Sequence, residues 1–120
     1  MAERIKFKRG AIIDINLEPT KGSETGKVRP CIVVTNNTYN ARVPVIQVVP
    51  ITAWSLKKAK IKTNVEIEPS QANGLTKKSI ADCLQTRPID YLSRCVGILG
   101  ELEPEFMLKI DEALRIVFAL

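Results

Sequence analysis

From Ala11 to Leu17 the positions Ala11, Ile13, Ile15 and Leu17 alternate with Ile12, Asp14 and Asn16. A period of two marks a half-buried strand, with the first set facing a core. A polar stretch follows from Glu18 to Pro30, and then the apolar run Cys31–Thr35, short enough to be a strand buried on both faces and ended by Asn36-Asn37. Val43–Ile51 reads as a third strand, with Pro44 and Pro50 near its ends, where a missing N–H does least harm to a ladder. Thr63–Glu68 alternates again, placing Val65 and Ile67 inward and Glu66 and Glu68 outward. Beyond a turn at Pro69–Gly74, Ser79–Thr86 predicts a fifth strand, Ile89–Arg94 a single helical turn and Cys95–Leu99 a last short strand. Pro104 suits the first position of a helix, and Phe106, Ile110, Ala113, Leu114 and Val117 then share one face. The pattern predicts one mainly β domain over residues 1–120. Its five or six short antiparallel strands form a strongly bent sheet closing toward a small barrel, with one C-terminal amphipathic helix.

Charge adds direction to this frame. The net charge of +5 and a pI near 9.3 favour an anionic partner. Only 5% of the residues are aromatic, so composition offers no stacking platform for single-stranded nucleic acid. No apolar stretch approaches the roughly 20 residues of a membrane span, and Met1-Ala2-Glu3-Arg4 lacks a signal-peptide core. Cys31, Cys83 and Cys95 show no C-x-x-C spacing and sit among apolar neighbours. They read as reduced, buried thiols of a cytoplasmic protein rather than a disulfide or zinc set. The chain has no histidine, which excludes His-based triads and His-ligated metal centres, so acid–base chemistry must run on Glu, Asp, Lys, Arg or Tyr.

The polar stretch E-P-T-K-G-S-E-T-G-K-V-R-P is long for a loop in a chain of 120 residues, and such loops are functional or disordered. Arg29-Pro30 leads straight into the next strand and fixes the far end. The loop carries Lys21, Ser23, Glu24, Lys27 and Arg29. RNA brings its own nucleophile, the 2′-hydroxyl, so a metal-free nuclease needs a base, positive charge on the phosphorane and help for the departing oxygen. Arg29 suits the phosphorane, because a guanidinium fork matches phosphate oxygens, and Thr52 can donate a hydroxyl to the same group. Glu24 is the only carboxylate between Gly22 and Arg29. It is either the base or an organiser of the loop through backbone hydrogen bonds. Lys21 and Lys27 supply electrostatic grip, Ser23 a phosphate or base-edge contact, and Gln85 the donor–acceptor pattern to read a base. Arg87 lines the same groove or pairs with Asp90. Lys57, Lys58, Lys60 and Lys62 form a basic run on another loop that can steer RNA. Glu66 and Glu68 face solvent by alternation, so no metal site and no cofactor is expected.

The wording P-T-x-G-S-E-x-G-x-x-R-P resembles the signature of the MazF/PemK (Kid) toxins. The similarity continues in Val48-Val49-Pro50-Ile51-Thr52, in Gln85-Thr86-Arg87-Pro88-Ile89-Asp90 and in the closing helix through Ala113-Leu114. It implies an SH3-like barrel of 5–7 strands, MazF/CcdB-like. It also implies a type II toxin that cleaves single-stranded RNA, chiefly mRNA, at a short sequence, independently of the ribosome. Arg29 and Thr52 match the family's catalytic pair. A two-fold homodimer and a cognate acidic antitoxin are implied as partners. PemK/Kid-type members carry an arginine and an aspartate where this chain has Asp82 and Leu84, so that acid–base route is missing. Val28 replaces a histidine found in others. The competing classes are a gyrase-poisoning toxin of the CcdB type, which would call for a helix tip specialised for protein contact, and a non-catalytic SH3-like adaptor, which would expose aromatics in a groove.

Overall fold

The computed structural model describes residues 6–120. In chain order the elements are β1 (Ala11–Asn16), β2 (Val28–Val33), α1 (Asn37–Asn40), β3 (Val45–Ala53), α2 (Leu56–Ala59), β4 (Asn64–Ile67) and β5 (Ser79–Asp82). A 3-10 turn (Cys83–Gln85) leads to β6 (Arg87–Asp90), α3 (Tyr91–Arg94), β7 (Cys95–Glu101) and α4 (Pro104–Phe118). All pairings are antiparallel, in the order β4-β5-β3-β2-β1-β7 with β6 also on β3. The fold is thus the bent, mainly β sheet with one long C-terminal helix that the alternation predicts.

β3 sets the bend. One of its edges takes β2 at Val48–Pro50. Its other edge takes β6 at Val45–Val48 and β5 at Ile51–Ala53. Val48 faces Arg87 while Ile51 faces Ala81, so three steps along β3 are matched by six along the other strand. The surplus is the three-residue turn Cys83–Gln85. This corrects two expectations: Ser79–Thr86 is not one continuous strand, and Ile89 and Asp90 belong to β6, with the helical turn confined to Tyr91–Arg94. The interruption forms because Cys83 turns its thiol into the core, fully buried, while Leu84 and Gln85 swing outward.

Apolar side chains pack on both faces of the sheet. On one face Ile12, Ile32, Val49, Ile51 and Ile67 meet Ile110 and Ala113 of α4, with Phe106, Leu114 and Val117 at the margin. On the other, Ile13, Ile15, Leu17, Cys31, Val33, Ile46 and Val48 close around Tyr91 and Phe7, whose rings meet edge-on at 5.1 Å. Ile12, read from the sequence as the outward set, is fully buried because α4 covers that face. Pro104 opens α4 as expected, and the helix ends at Ala119 in the left-handed region (φ 58°), where Leu120 N donates to Arg115 O at 2.9 Å. The second strand begins three residues earlier than its apolar run, because Val28 and Arg29 pair with Asn16 and Ile15. Two short helices, α1 and α2, escape the hydrophobic pattern; each is started by a side-chain cap, Asn36 on Thr38 N and Ser55 on Lys58 N.

Candidate active site

The polar loop is built by its own carboxylates. Glu18 Oε1 accepts from Thr20 N at 3.1 Å and Thr20 Oγ1 at 3.0 Å, and Glu18 Oε2 accepts from Lys27 N at 2.6 Å. One carboxylate therefore ties the start of the loop to its end. The Lys27 amide bond is the main reason its pKa falls below the ordinary 4.5, with the Thr20 hydroxyl bond next. Glu24 Oε1 accepts from Lys21 N at 2.5 Å and Glu24 N donates to Lys21 O at 3.2 Å, closing a turn at the tip around Gly22, whose φ of 56° favours glycine. Among the described residues nothing takes Glu24 Oε2. Lys21, Ser23, Glu24 and Lys27 all stand exposed along this loop.

Other elements clamp it from outside. Gln85, thrown outward by the 3-10 turn, accepts from Thr25 N at 3.2 Å and donates to Ser23 O at 3.3 Å. Its amide, expected to read a base, is spent at both ends on the loop. Arg87 Nη1 donates to Leu17 O at 3.1 Å, and Arg94 Nη1 donates to Asn16 O at 2.9 Å and Glu18 O at 2.6 Å. Arg87 thus anchors the loop's root and makes no bond to Asp90, whose carboxylate caps Leu92 N instead.

Arg29 and Thr52 lie on two strands that pair with each other, β2 and β3. Arg29 is half-buried in β2, its Nε on Gly26 O at 3.3 Å, and it joins no salt bridge among the described residues. A structural ion pair does not explain it, and both Nη atoms remain available. Thr52 lies within β3, not past its end. The register that pairs Cys31 with Pro50 and Val33 with Val48 ends two residues short of Arg29 on β2 and two residues short of Thr52 on β3. Ile51–Ala53 of β3 pairs with β5 along the other edge, so Thr52 stands beyond the end of the β2–β3 ladder. Lys58, on α2, places Nζ 3.3 Å from Thr52 Oγ1. A hydroxyl and an ammonium thus meet between β3 and α2, while the Arg29 guanidinium on the neighbouring strand β2 is held by the clamped basic loop; groups of these kinds suit a phosphodiester.

The remaining predicted groups lie apart from this cluster. Glu66 Oε1 accepts from Trp54 Nε1 at 2.6 Å, and Glu68 pairs with Lys78 at 3.6 Å. No group of three or more metal-ligating side chains gathers among the described residues. Lys78 covers the Trp54 ring at 4.7 Å. Cys31 and Cys83 are buried and unpaired, but Cys95 is only half-buried, against the expectation of three buried thiols. Sequence reasoning missed Glu18 and Arg94 as builders of the loop and assigned Lys58 to a separate loop. The two-residue spacing of Glu18 and Thr20 is the one local signal for the first. Nothing local signals Arg94, which reaches the loop from 76 residues away.

Comparison with known proteins identifies the family and the fold. Residues 8–118 match the family described as "PemK-like, MazF-like toxin of type II toxin-antitoxin system". The chain is 40% identical over 113 residues to endoribonuclease EndoA of Bacillus subtilis (strain 168), spanning 94% of this chain and 95% of that protein. The fold matches MazF from Deinococcus radiodurans with a TM-score of 0.82 at 20% identity, over 98% of this chain and all of that one. It also matches a mycobacterial endoribonuclease solved in complex with its cognate antitoxin, with a TM-score of 0.73 at 24% identity, over 93% of this chain and 94% of the other. The chain belongs to the PemK-like, MazF-like toxins of type II toxin–antitoxin systems.

Proposed function

We propose that this protein is a sequence-specific, metal-independent and ribosome-independent endoribonuclease that cleaves single-stranded RNA through its own 2′-hydroxyl and so blocks translation. One observation supports the reading: Arg29 has no carboxylate partner among the described residues and leads from a clamped basic loop into β2, the strand that pairs with β3, which carries Thr52. The Arg29 fork binds the non-bridging oxygens of the scissile phosphate and takes up charge as the phosphorane forms, and Thr52 donates to the same group. Glu24 offers Oε2 as acceptor for the 2′-hydroxyl proton while Oε1 holds the Lys21 amide. Attack of the 2′-oxygen on phosphorus expels the 5′-oxygen and leaves a 2′,3′-cyclic phosphate and a 5′-hydroxyl. Lys21, Ser23 and Lys27 line the RNA path. Gln85 and Arg87 serve it by holding the loop in shape.

The whole chain works as one domain in the cytoplasm, where its substrate is translated. Among the described residues no helix is long and apolar enough to cross a membrane. Two partners complete the reading. A second copy of the chain covers the end of α4, where Ile116 is 55% exposed and Phe118 and Leu120, 56% and 91% exposed, line a cavity of about 470 Å³ with Val34 and Leu114. An acidic, largely disordered antitoxin segment occupies the groove between the Glu18–Arg29 loop and α2, its carboxylates taking the place of phosphates. The reading is tested with the purified protein in EDTA on a long unstructured RNA. Cleavage should persist, with cyclic phosphate ends, and 2′-deoxy substitution at the cut nucleotide should abolish it while leaving binding largely intact. Continued cutting of the deoxy substrate would remove this mechanism.

A further inference from the structure

We propose that Lys58 is a positioning residue of the cleavage reaction, its ammonium fixing the Thr52 hydroxyl as a donor toward the phosphate; this rests on the nuclease reading above. Lys58 Nζ donates to Thr52 Oγ1 at 3.3 Å and to Ala53 O at 3.5 Å. A hydroxyl has one hydrogen and two lone pairs, whereas an ammonium has donors only. With Nζ on one lone pair, the Thr52 hydrogen cannot point back at Lys58 and is left for another acceptor.

The lysine is itself held in place, unlike its neighbours. Its backbone N donates to the Ser55 Oγ cap at 3.2 Å, and its carbonyl accepts from Asn64 Nδ2 at 3.0 Å and Ile61 N at 3.2 Å. Lys58 is half-buried, while Lys57 and Lys60 are exposed. Two bonds from the ammonium to β3 and three that hold its backbone give this ammonium a set direction, and a steering charge needs none of them.

Single-turnover cleavage by the full chain separates positioning from charge steering. Lys58→Met should lower kcat by about 10- to 100-fold, the cost of losing a hydrogen bond from a charged group, with KM within about twofold. Lys57→Met should move only KM and the salt dependence. In a Thr52→Val background, Lys58→Met should add nothing, because the hydroxyl it orients is gone. Lys58→Gln, which keeps an N–H donor, should recover part of the rate and guards against a folding defect in the methionine variant. Losses that multiply in the double variant, or a loss confined to KM with a flatter salt dependence, would overturn the proposal. Wild-type protein that cuts no RNA would instead remove the nuclease reading, and this inference with it.

Discussion

Arg29 enters β2 with Nε on the Gly26 carbonyl and its two terminal nitrogens open, so the loop backbone, rather than a carboxylate, orients the guanidinium. Arg29→Ala and Thr52→Ala should each lower turnover by about 10²-fold or more with the fold retained, measured as kcat beside thermal melting. Arg29→Lys should recover little, because an ammonium has no bidentate fork. Glu24→Gln separates the two roles open to that residue, since the amide oxygen still accepts from Lys21 N but no longer takes a proton; a loss of about 10²-fold is expected, and full activity would assign Glu24 to the turn alone. Glu18 brings a pH dependence. Its folded pKa is depressed by the Lys27 and Thr20 bonds, so its contribution to loop order is complete above the ordinary 4.5 and is lost as pH falls through the lower folded value. Lys27 and Thr20 amide signals should shift together in an acid titration, and Glu18→Gln should remove that shared step.

At the scale of elements, the site depends on an interrupted strand. Had β5 run on unbroken to Thr86, Gln85 would lie in the β3 ladder; the 3-10 turn instead carries it out to Thr25 and Ser23. The opposite end of the sheet is tied as firmly. Asn73, fully buried, donates to Glu68 O and Glu103 Oε1 and accepts from Ser70 N and Leu75 N, filling its hydrogen-bonding capacity. The next residue, Gly74, holds φ at 71°, and a Cβ there would fall on the Leu99 carbonyl. Gly74→Ala should therefore destabilise the fold by at least about 1–3 kcal/mol, the backbone strain, with the clash on Leu99 added to it, read from the denaturant midpoint with an unchanged slope. The positive φ and the approach of β7 each favour glycine here.

For the whole molecule, the end of α4 matters most. Ile116, Phe118 and Leu120 are exposed at the end of a helix that buries Ile110 and Ala113, and Phe118 and Leu120 line a cavity with Val34 and Leu114. Val117, which the helical spacing places on the core face, packs against the core. The chain should sediment as a dimer at micromolar concentration, and Phe118→Glu should shift it to monomer while its melting transition stays cooperative, because that ring is not part of the core. A wild-type monomer under those conditions would remove the proposed two-fold assembly.

Local chemistry along the chain suffices for much of this protein. Alternation in Ala11–Leu17 and Thr63–Glu68, Pro104 at the start of α4 and the loop ending in Arg29-Pro30 are short-range patterns, and each lies where its pattern predicts. Residue type and the motif positions single out Arg29 and Thr52 as candidates for binding a phosphate. What tertiary structure decides are the matters of register and reach. The burial of Ile12 required α4 to cover its face, and the break at Cys83 required β3 to accept two partners on one edge. The roles of Gln85, Arg87 and Arg94 required a loop 60 or more residues away to arrive beside them. Lys58 becomes a neighbour of Thr52 only because the Ser55 cap turns the chain into α2 directly after β3. A sequence specifies which groups are available and the period at which they repeat; which of them meet is fixed by pairings whose partners lie far apart along the chain.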